Sequence, residues 1–234
     1  MSTSRVDEPD GAPRSVRDEL AALCTRTEAW PRVPWHRTLD PATARRSAVL
    51  VLFGVLDSVP AHARAAAVPR DVDVLLTRRS DTVGHHPGQV SFPGGGIDPG
   101  DDGPVGAALR EAREETGLEP SGVEVLGSLP ALPVAVSNNL VTPVLAWWAR
   151  PSAVAAADPA ETVHVFRVPV ADLLDPALRR TSTLTRGGTT YRGPAFLVDG
   201  HVVWGFTAHV LDGLFDALGW TQPWDAARTV AIAT

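Results

Sequence analysis

Three glutamates, Glu111, Glu114 and Glu115, follow one arginine in the run Arg110-Glu111-Ala112-Arg113-Glu114-Glu115-Thr116-Gly117-Leu118. If residues 104–116 form a helix, the carboxylates sit at i, i+3 and i+4 and share one face. Like charges so close cost an isolated helix roughly 0.2–0.5 kcal/mol per pair. A divalent cation reverses the sign of that repulsion. Hard cations such as Mg2+ select carboxylate oxygens, keep several waters and share their shell with substrate phosphates. The run therefore predicts a metal-carrying helix suited to phosphate chemistry. Glu and Arg at these spacings also occur on ordinary solvated helices, where Arg110 with Glu114 is a weak i,i+4 pair. The turn-rich stretch upstream, Phe92-Pro93-Gly94-Gly95-Gly96, separates this run from that case. Its glycines let backbone approach a metal or a phosphate closely.

Those residues need a scaffold, and the chain supplies its pattern. Residues 1–13 are polar, contain Pro and Gly, and are expected to be disordered. Residues 14–29 suit a short amphipathic helix. Residues 30–46, with three prolines and two tryptophans, form an irregular lead-in. Val/Leu-rich segments predict strands over 47–56 and 72–78, with a Pro/Ala-rich loop between them. Residues 80–102 hold most of the turn signals, and Gly117 stops the helix that follows. Further strands are expected over 123–129, 140–149 and 161–168, with a loop tip at 151–160. A short helical turn is expected over 173–180, and a hairpin over 191–203 around Asp199-Gly200. Val210, Leu211, Leu214, Phe215 and Leu218 give the segment 205–218 one apolar face, as a packing helix requires. Strands alternating irregularly with a few helices predict an α/β fold with helices on both faces of a sheet.

Composition excludes several classes. The chain has 234 residues, 44% of them apolar and 21% charged, as in ordinary globular domains. A net charge of −6, without a basic block, argues against a nucleic-acid-coating surface. Every basic residue is Arg. Cys24 is the only cysteine, so no intramolecular disulfide exists, which fits a reducing cytoplasm. No apolar stretch follows a basic start, so no secretory signal is visible, and residues 48–56 are too short a run to span a bilayer. A cytoplasmic protein with no membrane or nucleic-acid partner is expected.

Set behind its glycine turn, the run resembles the Nudix box, G-x5-E-x7-R-E-U-x-E-E-x-G-U, where U is bulky and aliphatic. Counted from Gly96, Arg110, Glu111, Glu114, Glu115, Gly117 and Leu118 match. Asp102 stands for the first box Glu, and Ala112 for the aliphatic residue. The resemblance implies a Nudix-type α/β/α sandwich with a mixed β-sheet over residues 46–220. It leaves 1–45 as an N-terminal extension and 221–234 as a C-terminal tail. It implies a pyrophosphohydrolase that needs Mg2+ or Mn2+. Glu111 and Glu115, one turn apart, are the best pair for direct ligation. Glu114 would hold a second ion or a bound water, and Arg110 would orient a glutamate. The Gly94–Gly96 turn would approach the phosphates, with a carbonyl at Gly95 or its neighbour completing the metal shell. Asp101 or Asp102 stands in for the box Glu, or both merely flank the helix N-terminus.

The flanks narrow the resemblance to the coenzyme A pyrophosphatases. Their motif L-L-[ST]-x-R-[SA]-x3-R-x3-G-x3-F-P-G-G is matched from Leu75 to Gly95, except that Gly84 replaces the second Arg. Asp98-Pro99-Gly100-Asp101 matches the D-P-x-D that follows and favours Asp101 as the acid before the helix. Val141-Thr142-Pro143-Val144 and the segment Val203 to Ala208 look like two later motifs. The implied substrate is coenzyme A or an acyl derivative, cleaved to 3′,5′-ADP and (acyl-)4′-phosphopantetheine. Arg79 is then a candidate for a substrate phosphate, or else a strand-end salt bridge. His86, with His85, either restores charge lost at Gly84 or is a loop residue. Gly84 keeps open a Nudix hydrolase of ADP-ribose, NADH or another nucleoside diphosphate derivative. A non-catalytic nucleotide-binding domain is a third reading, disfavoured by the retained glutamates. Many members are dimers, so a homodimer stays open, though no periodic seam specifies one. The general base is either a box carboxylate or a group from another loop, such as the Ser137-Asn138-Asn139 segment.

Overall fold

The computed structural model describes residues 15–26, 39–40, 42–55, 61–63, 65–69, 71–80, 88–158, 160 and 162–233. The expected disorder at 1–13, most of the 30–46 lead-in, and Gly84, His85 and His86 lie outside these residues.

Strand β1 (Arg45–Val55) runs through the middle of an eight-stranded mixed sheet. Its apolar run has no polar alternation because both faces are buried. Ala48, Leu50 and Leu52 belong to one core, and Val51 and Phe53 to the other. One edge of β1 pairs in parallel with β7 (Asn139–Trp148) along its whole length up to Phe53. The other edge is shared. Phe53–Val55 pair with β2 (Val72–Arg79), while Ser47–Val49 pair with β4 (Gly94–Gly96). Strands β1 and β2 therefore splay apart. Into the wedge run β3 (Val90–Ser91), paired with β2, and then β4, paired with β1. This wedge puts the glycine turn inside the sheet. Strands β5 (Val123–Ser128) and β6 (Leu132–Val134) pair with β7, and β8 (Thr162–Pro169) pairs with β2.

Helix α1 (Val16–Cys24), capped by the Ser15 side chain, packs on one face through Val16, Leu20 and Leu23. Helix α2 (Gly103–Thr116) covers the other face. Ala107, Ala108 and Ala112 are fully buried there, and their small size brings the helix axis close to the sheet. Ala112, the departure from the box's bulky aliphatic residue, thus sits in the core. Gly117 ends α2 at φ +68°, where its N–H donates to the Arg113 carbonyl at 2.8 Å. With helices on both faces, the molecule is an α/β/α sandwich with a mixed sheet, as expected.

Two expectations are corrected. The helical turn expected over 173–180 forms earlier, as α3 (Val170–Leu173), and Arg179 already begins a strand. Pro176 cannot continue a helix, and the β-branched Thr181, Thr183 and Thr185 favour extension. That strand, β9 (Arg179–Arg186), pairs with β10 (Thr189–Val198), which turns at Asp199-Gly200 into β11 (His201–Val203). Helix α4 (Gly205–Ala217) packs on this second sheet. The segment expected as a C-terminal tail carries β12 (Thr229–Ala231), parallel to β9. Within the core between the sheets, the Arg179 guanidinium lies 4.6 Å from the Phe196 ring centre and pairs with Asp212.

Candidate active site

Each glycine of the turn touches a different part of α2 or β1. At Gly94, φ is +157° and a Cβ would fall 2.3 Å from the Ala48 carbonyl oxygen, so only glycine fits. Its N–H donates to Glu115 Oε2 at 3.2 Å. At Gly95, a Cβ would fall 2.4 Å from the Glu111 carboxyl carbon; the missing side chain leaves the space that the carboxylate occupies. The Gly96 carbonyl accepts from Arg110 Nη2 at 3.0 Å. The turn and the helix therefore form a clasp, with Glu111 and Glu115 side by side against the Gly94-Gly95 backbone.

Arg110 organises the acids. Its Nε and Nη2 donate to the two oxygens of Asp101, both at 2.9 Å. Its Nη1 donates to Glu111 Oε1 and Glu114 Oε2, both at 3.0 Å, and Asp98 lies 3.6 Å away. This decides between the two aspartates. The Asp101 side chain is 6% exposed and also accepts from the Asp98 N–H at 2.7 Å. Asp102 only occupies the N-cap of α2 and makes no side-chain capping bond. The Arg110 hydrogen bonds hold the Asp101 carboxyl down at about 2, so it stays ionised. Burial pushes Glu111 upward, against the pull of Arg110, and the nearby Glu114 and Asp98 push the same way. Glu114 is 59% exposed and faces water. Asp98 is the residue that sequence reasoning left without a role; its place in Asp98-Pro99-Gly100-Asp101 was the signal for it.

Among the described residues, no three His, Cys, Asp or Glu side chains converge as a ready-made metal cage. Mg2+ does not need one, since it usually takes one or two carboxylates and fills its octahedron with water and substrate phosphate. Two glutamates against an open glycine backbone fit that demand. Arg79 ends β2, with its N–H donating to the Gln89 carbonyl at 3.0 Å. The Ser137-Asn138-Asn139 segment borders β1 on the β7 side, away from β4. There Asn138 donates to Thr43 Oγ1 and its carbonyl accepts from the Arg45 N–H, so it buttresses the start of β1. No helix among the described residues is long and apolar enough to cross a membrane.

An α/β/α sandwich that presents paired glutamates to a glycine turn suits a divalent cation held beside a phosphate. The NUDIX domain matches residues 60–185, more than half of the chain, so the protein belongs to the Nudix hydrolase family. Members of that family act on nucleoside diphosphate derivatives and generally use Mg2+ or Mn2+. Among its relatives is NudL of Photorhabdus laumondii, described as an uncharacterized Nudix hydrolase. It is 37% identical over 141 residues, which cover 60% of this chain and 74% of the relative. NudL of Escherichia coli K12 is 37% identical over 146 residues, covering 62% and 75%. Among solved structures, the NUDIX domain of Shewanella oneidensis NrtR complexed with ADP ribose aligns at 25% identity. Its TM-score is 0.41, and the alignment covers 58% of this chain and 80% of that one. A Caenorhabditis elegans Ap4A hydrolase aligns at 21% identity and a TM-score of 0.41, covering 53% and 80%.

Proposed function

We propose that the protein hydrolyses the pyrophosphate of coenzyme A or its acyl derivatives to 3′,5′-ADP and 4′-phosphopantetheine or its acylated form. The chemistry rests on one observation, the apposition of Glu111 and Glu115 to Gly94 and Gly95. The substrate assignment rests on the motif from Leu75 to Gly95 and on Asp98-Pro99-Gly100-Asp101. In this mechanism Glu111 and Glu115, with Glu114 and a Gly95 carbonyl, would hold Mg2+ or Mn2+. When bound, the metal supplies Lewis acidity toward the pyrophosphate. Arg110 fixes the Glu111 carboxylate and neutralises part of its charge. The Gly94–Gly96 backbone leaves room for the phosphates, while Arg79 and His86 supply positive charge to them. Hydrolysis adds one water across the anhydride and breaks one P–O bond.

A second reading is favoured by Gly84, which removes an arginine of the coenzyme A motif. It keeps the chemistry and moves the substrate to ADP-ribose, NADH or a similar compound. The test is a product assay by mass-resolved chromatography. Coenzyme A, acetyl-coenzyme A, ADP-ribose and NADH are each incubated with the protein and Mg2+ or Mn2+. Appearance of 3′,5′-ADP with phosphopantetheine is the expected result. Cleavage of ADP-ribose or NADH with coenzyme A left intact would transfer the assignment to the second reading. Ligand binding without any product would make the protein a nucleotide sensor.

A further inference from the structure

We propose that His164, stacked on Phe166, forms a ledge on which the nucleobase of the substrate stacks. The His164 and Phe166 rings lie 5.1 Å apart at 24°, and the Phe166 and His201 rings lie 6.0 Å apart at 43°. Phe166 is buried in the core and fixes the arrangement, while His164 is exposed. One face of its imidazole is thus held against Phe166, in a set orientation, at the solvent boundary. Stacking on a ring already held in place costs little entropy, and every nucleobase offers a π face for it.

The ledge lies on the strands that lead into the glycine turn. His164 pairs across the sheet with Arg78, and Arg78 pairs with Val90. Paired residues share a face, so His164, Arg78 and Val90 form one line across three strands. Two strand spacings put His164 about 10 Å from Val90. Val90 opens the segment that reaches Gly94 four residues later, in the wedge between β1 and β2. Strand β11 lies against β3, which brings His201 to the same corner. Arg78 lies between His164 and Val90 in that line. This inference depends on the protein being a nucleotide hydrolase, and it is indifferent to whether coenzyme A is the substrate.

The test is a binding measurement that needs no turnover. AMP and ribose 5-phosphate, which lacks the base, are titrated calorimetrically into the full chain with Mg2+. The expected result is that the parent binds AMP more tightly than ribose 5-phosphate. His164→Ala should weaken AMP about tenfold or more. The same variant should leave ribose 5-phosphate binding alone, and His164→Phe should restore AMP binding. Unchanged AMP affinity in His164→Ala would overturn the proposal. So would an equal loss for both ligands, a parent that does not discriminate them, or no rescue by His164→Phe. Because the difference between AMP and ribose 5-phosphate reports on the base alone, failure of the coenzyme A assignment leaves this result readable.

Discussion

Adding one methyl group at Gly95 should damage catalysis while sparing the fold. In Gly95→Ala the new Cβ would lie 2.4 Å from the Glu111 carboxyl carbon and 2.4 and 2.7 Å from its oxygens. Restoring an ordinary contact of 3.4 Å requires a shift of about 1 Å. The obstacle is the tip of a flexible side chain, so Glu111 can yield by changing rotamer at a cost of about 0.5–1.5 kcal/mol. For a chain of this size that is a Tm loss of at most about 6 °C. A 1 Å displacement of a group that positions the reaction can cost on the order of 100-fold in rate. The neighbouring Gly94→Ala supplies the contrast. Its Cβ would meet the Ala48 carbonyl oxygen at 2.3 Å and Val49 Cα at 2.6 Å, both backbone atoms fixed in the sheet. That variant should lose stability first. The assay pairs thermal unfolding with steady-state hydrolysis at saturating Mg2+. A Gly95→Ala enzyme within threefold of the parent rate would refute the reasoning, as would one that unfolds more readily than Gly94→Ala.

Three further outcomes follow from the same geometry. Asp101→Asn removes the charge that accepts two of the Arg110 hydrogen bonds and should slow hydrolysis about tenfold. Asp102→Asn should be close to the parent; equal effects in kinetic assays would undo the assignment of Asp101. Glu115→Gln keeps an oxygen that can accept from the Gly94 N–H but removes charge from the metal face, so kcat should fall about 100-fold with Tm within a few degrees. A variant as active as the parent would show that Glu115 is not a metal ligand. Burial on α4 against Gly193 lowers the His209 pKa from 6.5 to about 4. Below pH 6.5 the unfolded chain binds a proton that the folded chain refuses. Stability present above pH 6.5 is therefore lost as pH falls to 4, by about 3 kcal/mol for a shift of this size. Thermal melts across that range should show the loss, and His209→Gln should flatten it; parallel curves for the two proteins would rule it out.

The chemistry of this protein was local in sequence. Glu111, Glu114 and Glu115 depend only on helical periodicity to share a face, and the glycine run depends only on having no Cβ, so both could be read from spacing. The apolar β1 and the amphipathic α4 were legible for the same reason, because burial writes a period into a single element. The Leu173 to Arg180 segment and the last residues were misread, since β9 and β12 are defined by pairing with strands elsewhere in the chain. Propensity carries little of that information. For the acid before the helix, the box count pointed to Asp102 and the D-P-x-D register to Asp101, and only the fold shows which one the Arg110 guanidinium grips. The sequence by itself determined the candidate site residues and the family the chain belongs to. Tertiary structure decided how they meet: β1 and β2 splay, the glycine turn enters the gap, and Gly95 comes to rest against Glu111. Long-range strand pairing sets those distances, and no residue spacing encodes it.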